Sequence, residues 1–402
     1  MTGPAPRFTI KTRMSARDSD EAHRASSPLE ALFDLTFVVA VAQVAEQLGG
    51  AIKDGQALEA IIPFVMVFFA IWWAWMNFTW FASAYDSDDV PYRLLSLLQM
   101  GGVLVLAAGV PAAFQHADFF GITLGYFIMR VGLVAQWVRA AIENPDGRST
   151  ALRYAIGVTV VQIGWIARLL LLPTDRQDQW WTVYLAFAIL VVLEGLVPYW
   201  SERSGMTSWH PHHIAERFGL FAIILLGETI AVLAAGIGAV VTADATLGAL
   251  ITVGIASLVL IFGLWWLYFL QPAGEGLERN RDGSWFWGYG HYFAFAGLGA
   301  LGAGLEVVIT DAGGHLALDP AVVLYSVAIP VAVYLIALLV SHVRILPGII
   351  IHVWIVVPTA LLVLALPLVG RYVGVPVDFA LIAFVVAAAV AATLILGRRH
   401  TR

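Results

Sequence analysis

The 402-residue chain has no cysteine, which excludes a disulfide, a thiolate metal site and a thiol nucleophile. Charge is scarce as well, at 12% Asp, Glu, Lys and Arg, about half the share carried by a soluble globular domain. Lysine is nearly missing: Lys11 and Lys53 stand alone, and every other basic side chain is Arg. The first 27 residues lack the apolar stretch of roughly 7–15 residues that a cleaved signal peptide needs. With Arg7, Lys11, Arg13, Arg17 and Arg24 they read as a disordered cytoplasmic tail. What the chain does have is apolar surface, 60% hydrophobic residues at a mean hydropathy of +0.82. Such a chain is an integral membrane protein.

A bilayer core takes about 20 apolar residues per helix. Runs of that kind predict spans at 29–48, 59–82, 93–114, 119–143, 150–173, 179–201, 212–239, 245–271, 286–311, 320–345, 349–370 and 377–397. The fold class expected is an all-α polytopic membrane protein of about 12 transmembrane helices, with no soluble domain. With the amino terminus in the cytoplasm, 17 of 22 Lys/Arg fall on or beside cytoplasmic segments. Lys53, Arg168, Arg176 and Arg371 lie near the outer face and Arg130 lies mid-span. By the positive-inside rule both termini are cytoplasmic, in the inner membrane.

The chain resembles itself. "LFDLTFVVAVAQVAEQL" at 32–48 aligns with "RFGLFAIILLGETIAVL" at 217–233, pairing Phe33 with Phe218, Leu35 with Leu220 and Gln43 with Glu228. In the next span Trp72-Trp73 of "AIWWAWMNF" aligns with Trp265-Trp266 of "GLWWLYFLQ". Two parallel six-helix repeats are expected, at 28–201 and 212–397, joined by a linker at 202–211 and closed by a short tail at 398–402.

Ionisable groups inside a bilayer cost at least ~2.5 kcal/mol each and mark candidate functional sites. Glu30 and Asp34 are four apart and share a face of the first span. Asn77, Trp80 and Tyr85 close the second span, the "YDSDDVPYR" loop carries Asp86, Asp88 and Asp89, and Tyr92 and Arg93 open the third. His213, Glu216 and Arg217 open the seventh span, and His291 lies near the start of the ninth. Glu228 is 12 residues past Glu216, about 18 Å along a helix. Together these residues predict an acidic, aromatic vestibule open to the cytoplasm, with Trp73 in its wall and Glu228 at its floor. Each also has a structural reading: Glu30 and Glu216 complement helix dipoles, Asp88 or Asp89 caps a helix, and Arg130 neutralises Asp34, Glu194 or Glu228. His213-x-x-Glu216 has the spacing of carboxylate-bridged metal sites, yet no second pair matches it, so no metal or cofactor is expected.

These motifs resemble the bacterial low temperature requirement A (LtrA) family. The family's "ELFFDLVFV" opening is similar to Glu30–Val38, with Ala31-Leu32 departing from Leu-Phe while both acids are kept. "WWAW…FT…D-x-DD…YRLL-x-LLQM" resembles residues 72–100, and "H-x-x-ERFGL…LGE" resembles residues 213–228. The "WWLYF" at 265–269 and the pattern from His291 to Glu306 are similar too. The resemblance implies a multi-pass membrane protein linked by name to growth in the cold, and implies no reaction or substrate.

Two functions suit these residues. One is a transporter or proton-coupled carrier, with Glu228 as proton carrier, Arg130 stabilising the empty state, and Asp34, Glu216 and Arg217 gating or attracting solute. The other is a membrane-embedded enzyme acting on a prenyl or other lipid-like substrate. Asp86-Ser87-Asp88-Asp89 is similar to the D-x-D-D acid motif of class II terpene cyclases, where clustered carboxylates hold the middle acid, here Asp88, protonated. The partners expected are the bilayer and a small-molecule, proton or lipid-like substrate. Nucleic acid is not expected, and nothing in the sequence signals an oligomeric state.

Overall fold

The computed structural model describes residues 10–18, 21, 24–172, 180–241, 247–314, 316–346 and 352–400. They form helices joined by short loops, with no strand among the described residues. The order is α1 (Pro28–Lys53), α2 (Ala57–Tyr85), α3 (Val90–His116), α4 (Phe120–Glu143), α5 (Arg148–Leu171), α6 (Trp180–Glu202), α7 (Pro211–Val241) and α8 (Leu247–Phe269). Then come α9 (Ala273–Arg279), α10 (Ser284–Ala312), α11 (Pro320–His342), α12 (Val353–Ala365), α13 (Gly370–Val373) and α14 (Val375–His400). Eleven of the helical stretches among the described residues are long and apolar enough to cross a membrane. The protein is therefore an all-α, multi-pass membrane protein.

The span expected at 349–370 is shorter. Its helix runs only from Val353 to Ala365 before a turn at Leu366–Leu368, about 20 Å of rise against a hydrocarbon core of ~30 Å. Pro367 and Gly370 interrupt the apolar run that suggested a full span, and residues 349–351 lie outside the described residues.

Helix ends follow local chemistry. Asp89 caps α3 by accepting the Tyr92 N–H, with a proline in the first turn, and Asp319 caps α11 by accepting the Ala321 N–H, again ahead of a proline. Outward faces stay apolar: on α5, Val160 and Ile163 are each 60% exposed. Lipid is as apolar as Leu, so helix association rests on close packing rather than on hiding such faces. Glycines supply it between α10 and α11. A Cβ at Gly304 would lie 2.1 Å from the Ser326 carbonyl oxygen, and one at Gly297 would lie 2.9 Å from that of Pro330.

The chain divides into two compact units, residues 1–40 with 69–214 and residues 41–68 with 215–402. The expected halves at 28–201 and 212–397 differ from this division because residues 41–68 join the second unit. The first unit packs α3 on α4, α4 on α5 and α5 on α6; the second packs α10 on α11 and α8 on α14.

Where residues 10–18, 21 and 24–27 of the expected tail are described, they make contacts with the rest of the first unit. The Thr12 N–H donates to Asp89 (2.8 Å), Met14 is fully buried with its N–H on Glu143 (2.6 Å), and the Arg17 N–H donates to the Ala84 carbonyl (2.9 Å). A polar, basic segment orders here because the first unit offers it carboxylates and helix-end carbonyls.

Candidate functional site

In the first unit, titratable side chains converge where α1 begins and α2 ends. Glu30 is fully buried in the first turn of α1. Its carboxylate accepts the Ser27 N–H (2.8 Å) and lies 3.1 Å from His213 Nε2 and 3.4 Å from Arg24 Nη2. Arg24 also donates to the Ala82 carbonyl (2.9 Å) and sits 3.9 Å from Asp86. The His213 N–H donates to His210 Nδ1 (3.2 Å), so the other ring nitrogen of His210 carries the proton toward the Glu21 carbonyl (2.8 Å).

Burial pushes the Asp86 carboxyl up to about 6, and the neighbouring Glu30 charge adds to the rise against the pull of Arg24. Burial likewise lowers the Arg24 guanidinium from its ordinary range, while Glu30 opposes it. At Asp89 burial alone would raise the carboxyl, but Arg139 and the N–H groups of Thr12 and Tyr92 hold it at about 2. Arg139 reaches both Asp89 oxygens, at 2.6 and 2.8 Å.

A second acid lies one turn deeper. Asp34 is fully buried and accepts the Trp75 indole N–H (2.6 Å). Two residues earlier on α2, about 3 Å along the axis, Trp73 donates its indole N–H to Glu194 (2.8 Å). Glu194, on α6, gathers further donors: the Tyr126 hydroxyl (2.8 Å), the Trp165 indole (3.1 Å) and Arg130 Nη2 (3.1 Å to each oxygen). Of the candidate partners for Arg130, the structure selects Glu194. Glu30, Asp34 and Glu194 thus form a ladder of buried carboxylates, stepped from α1 to α6 through the α2 tryptophans.

With these acids placed, the family is decided by the extent of the match. The model of the bacterial low temperature requirement A proteins (LtrA) fits residues 25–396. The chain belongs to the LtrA family. It is also similar to an uncharacterised protein of Rhizobium meliloti (strain 1021), 28% identical over 281 residues, 68% of this chain and 65% of the relative. The match therefore spans just under two thirds of that relative's length. No solved structure matches the chain.

The acid loop of this LtrA chain does not assemble as a cyclase motif. Asp88 sits at φ 44, exposed, with its carboxylate on Arg93 (2.8 and 2.9 Å), whereas general-acid chemistry on an alkene needs a dry cavity around the middle acid. Asp89 is a helix cap paired to Arg139, and Asp86 turns to Arg24. The three acids face three different partners. Asp88→Asn, which keeps a residue that tolerates the left-handed backbone, is expected to change stability by less than ~1 kcal/mol, as for an exposed ion pair. Asp89→Ala strips the α3 cap and leaves Arg139 without its main partner, a loss of about 2 kcal/mol or more. Paired thermal unfolding curves in detergent check both.

The other sequence candidates are distributed over both units. Asn77 donates back to the Trp73 carbonyl (2.7 Å), and Tyr92 is fully buried beside Phe78 and Phe81. His213 faces the buried Glu30 while Glu216 is exposed, so the i, i+3 pair does not converge on one ligand. In the second unit Arg217 is fully buried and Glu228 is half-buried on α7. His291 donates from Nδ1 to the Trp287 carbonyl (2.7 Å), leaving Nε2 to accept the Tyr268 hydroxyl (3.2 Å). His342, which the sequence reading passed over, accepts the Trp287 indole N–H (3.2 Å). Also in that unit, Lys53 pairs with Glu306 (2.5 Å), where Gly49 leaves the room: a Cβ there would stand 2.7 Å from Glu306.

Proposed function

We propose that the protein is a proton-coupled carrier of the inner membrane, with Glu30, Asp34 and Glu194 as its proton-bearing groups. The observation that carries this reading is the ladder itself: three buried carboxylates in one unit, all on membrane-spanning helices, each held by indole, imidazole or guanidinium donors. A membrane protein that needed only to fold would be served as well by apolar residues at these positions, because each intramembrane ion is costly. Arg130 stabilises the charged form of Glu194, while the Trp73 and Tyr126 donors keep its carboxylate aimed in either protonation state. With both termini cytoplasmic, as the Arg distribution implies, the cluster of Arg24, Glu30, Asp86 and His213 is the cytoplasmic mouth. In this reading the two halves descend from one duplicated unit, in which Phe33 and Phe218, both buried, are equivalent.

The test is flux in liposomes loaded with a pH dye under an imposed gradient. Wild type is expected to move protons once substrate is supplied, and Glu194→Gln is expected to lose at least 90% of that flux while eluting as a folded protein. Wild-type flux in Glu194→Gln would overturn the assignment. Glu228→Gln runs alongside, since Glu228 was the carrier expected from sequence; loss of flux there and not at Glu194 would move the pathway to α7.

A further inference from the structure

A groove opens between three helices of the second unit. α10, α11 and α12 enclose about 830 Å³ there, toward the upper end of the roughly 300–1,000 Å³ of small-molecule sites. The groove is hollow because its floor carries small side chains: Ala332, Ala337 and Ala360 line it and are all buried. Larger residues stand at its rim, where Phe293 is 58% and Val340 44% exposed. It therefore opens sideways, on the apolar surface that these helices offer to lipid. Along α10 the lining runs from Trp285 to Phe293, eight residues on and about 12 Å along a helix. One leaflet contributes about 15 Å to the hydrocarbon core, so the groove has the depth of a single leaflet.

One end of the groove is polar. Trp285, in the first turn of α10, meets Tyr289 edge to face (ring centroids 5.8 Å apart), and residues of these two kinds gather at the headgroup level of a bilayer. The next residue, Phe286, lines the groove and carries the Arg344 guanidinium over its ring, 5.0 Å from the centre. Arg344 is exposed, just past the end of α11, and only its backbone carbonyl is bonded, accepting from Asn280 (2.8 Å). None of the acids before α10, Glu275, Glu278 and Asp282, pairs with it, and Arg279 holds Glu275 instead (3.1 Å). Among the described residues Arg344 has no anion of its own.

We propose that this groove binds one anionic phospholipid of the leaflet on which Arg344 lies, with an acyl chain along the alanine floor and the phosphate on the guanidinium. The site goes beyond the carrier reading and does not rest on it. The two parts of the lipid contribute differently. Hydrocarbon in the groove replaces hydrocarbon in the bilayer, so the chain gains packing but does not distinguish one lipid from another. Selection falls to the headgroup. A guanidinium fork takes two phosphate oxygens at once, and one arginine near the membrane surface is worth about fivefold in affinity for an anionic lipid. A free phosphate would meet Arg344 but seat nothing in the groove. An uncharged lipid would fill the groove and leave the guanidinium without an anion.

The test is native mass spectrometry of the full chain in a mild detergent, titrated with dioleoyl phosphatidylglycerol or with dioleoyl phosphatidylcholine, which has the same chains and no net charge. The first phosphatidylglycerol is expected to bind roughly fivefold tighter than the first phosphatidylcholine. Arg344→Gln should make the two equal, while Arg203→Gln, at an exposed arginine of the first unit, should leave the preference intact. Val340→Trp sets an indole into the groove from its exposed rim and should abolish the preference as well. Glycerol phosphate, a headgroup without chains, should not displace phosphatidylglycerol. Equal binding of the two lipids by wild type, a preference that survives Arg344→Gln, or one that Arg203→Gln reduces as much would overturn the proposal. So would a preference that survives Val340→Trp or that glycerol phosphate erases, since the headgroup would then be held without the groove. The Arg344 side chain makes no hydrogen bond or ion pair among the described residues, so its variant keeps the test decisive if the Trp variant does not fold.

Discussion

Arg130→Met is expected to destabilise the folded protein by about 3–5 kcal/mol, the usual consequence of breaking a buried ion pair from one side. The side chains of Arg130 and Glu194 are 3% and 1% exposed, so water cannot take over from the guanidinium. The Trp73, Tyr126 and Trp165 donors would remain on Glu194, but they supply partial charges where Arg130 supplied a full one. Removing both charges is predicted to recover more than half of the loss: Arg130→Met combined with Glu194→Gln leaves no uncompensated ion. Denaturant unfolding of the four proteins in one detergent gives the coupling directly. A single Arg130→Met variant as stable as wild type would contradict the buried pair, and with it the ladder.

The second large effect is one of pH. Asp86 has a folded-state carboxyl raised from 3.8 to about 6, and its side chain is 7% exposed. Between those two values the folded chain keeps a proton that the unfolded chain has released, so stability falls as pH rises through the interval. Two pH units at about 1.4 kcal/mol each give on the order of 3 kcal/mol between pH 4 and pH 7. Asp89 acts with the opposite sign: its carboxyl, held at about 2, contributes stability that is present above pH 4 and lost below it. Asp86→Asn should therefore be more favourable relative to wild type at pH 7 than at pH 4 by about 3 kcal/mol. Unfolding temperatures of both proteins across pH 4 to 8 test this, and parallel curves would mean that Asp86 ionises as freely folded as unfolded.

Hydropathy made the membrane class and nearly all the helices legible, because a run of about 20 apolar residues has few other uses. It could not tell a helix face turned to protein from one turned to lipid, since the two surroundings are equally apolar. Trp72 and Trp73 are each 2% exposed, whereas Trp265 and Trp266, which align with them, are 44% and 47% exposed. The acids of α1 were legible from their four-residue spacing alone. Glu194 was visible only as one candidate partner for Arg130, because its donors come from three helices far off in sequence. Arg168 read as an outer-face charge; only packing shows that its guanidinium turns inward against the rings of Phe119 and Phe187. The Asp86–Asp89 string misled because spacing does not say which way each side chain points, and the left-handed backbone at Asp88 turns that acid out. The amino-terminal segment looked disordered by composition, which registers the charges of a segment but not the partners waiting for them.

The acids of α1 wait for partners that lie far along the chain. Asp34 depends on Trp75, 41 residues later, and Glu30 on His213, 183 residues later. At a synthesis rate of roughly 5–20 residues per second, the last of these arrives about 10–40 s after Glu30 has left the ribosome. During that interval Glu30 keeps only its local partners, Ser27 and Arg24, and an ionised acid within a spanning helix opposes insertion by up to about 3 kcal/mol toward the helix centre. The imidazole of His213 therefore reaches Glu30 only once α7 has begun to emerge, so the contact that ties α1 to α7 can form only after the helices between them have been made.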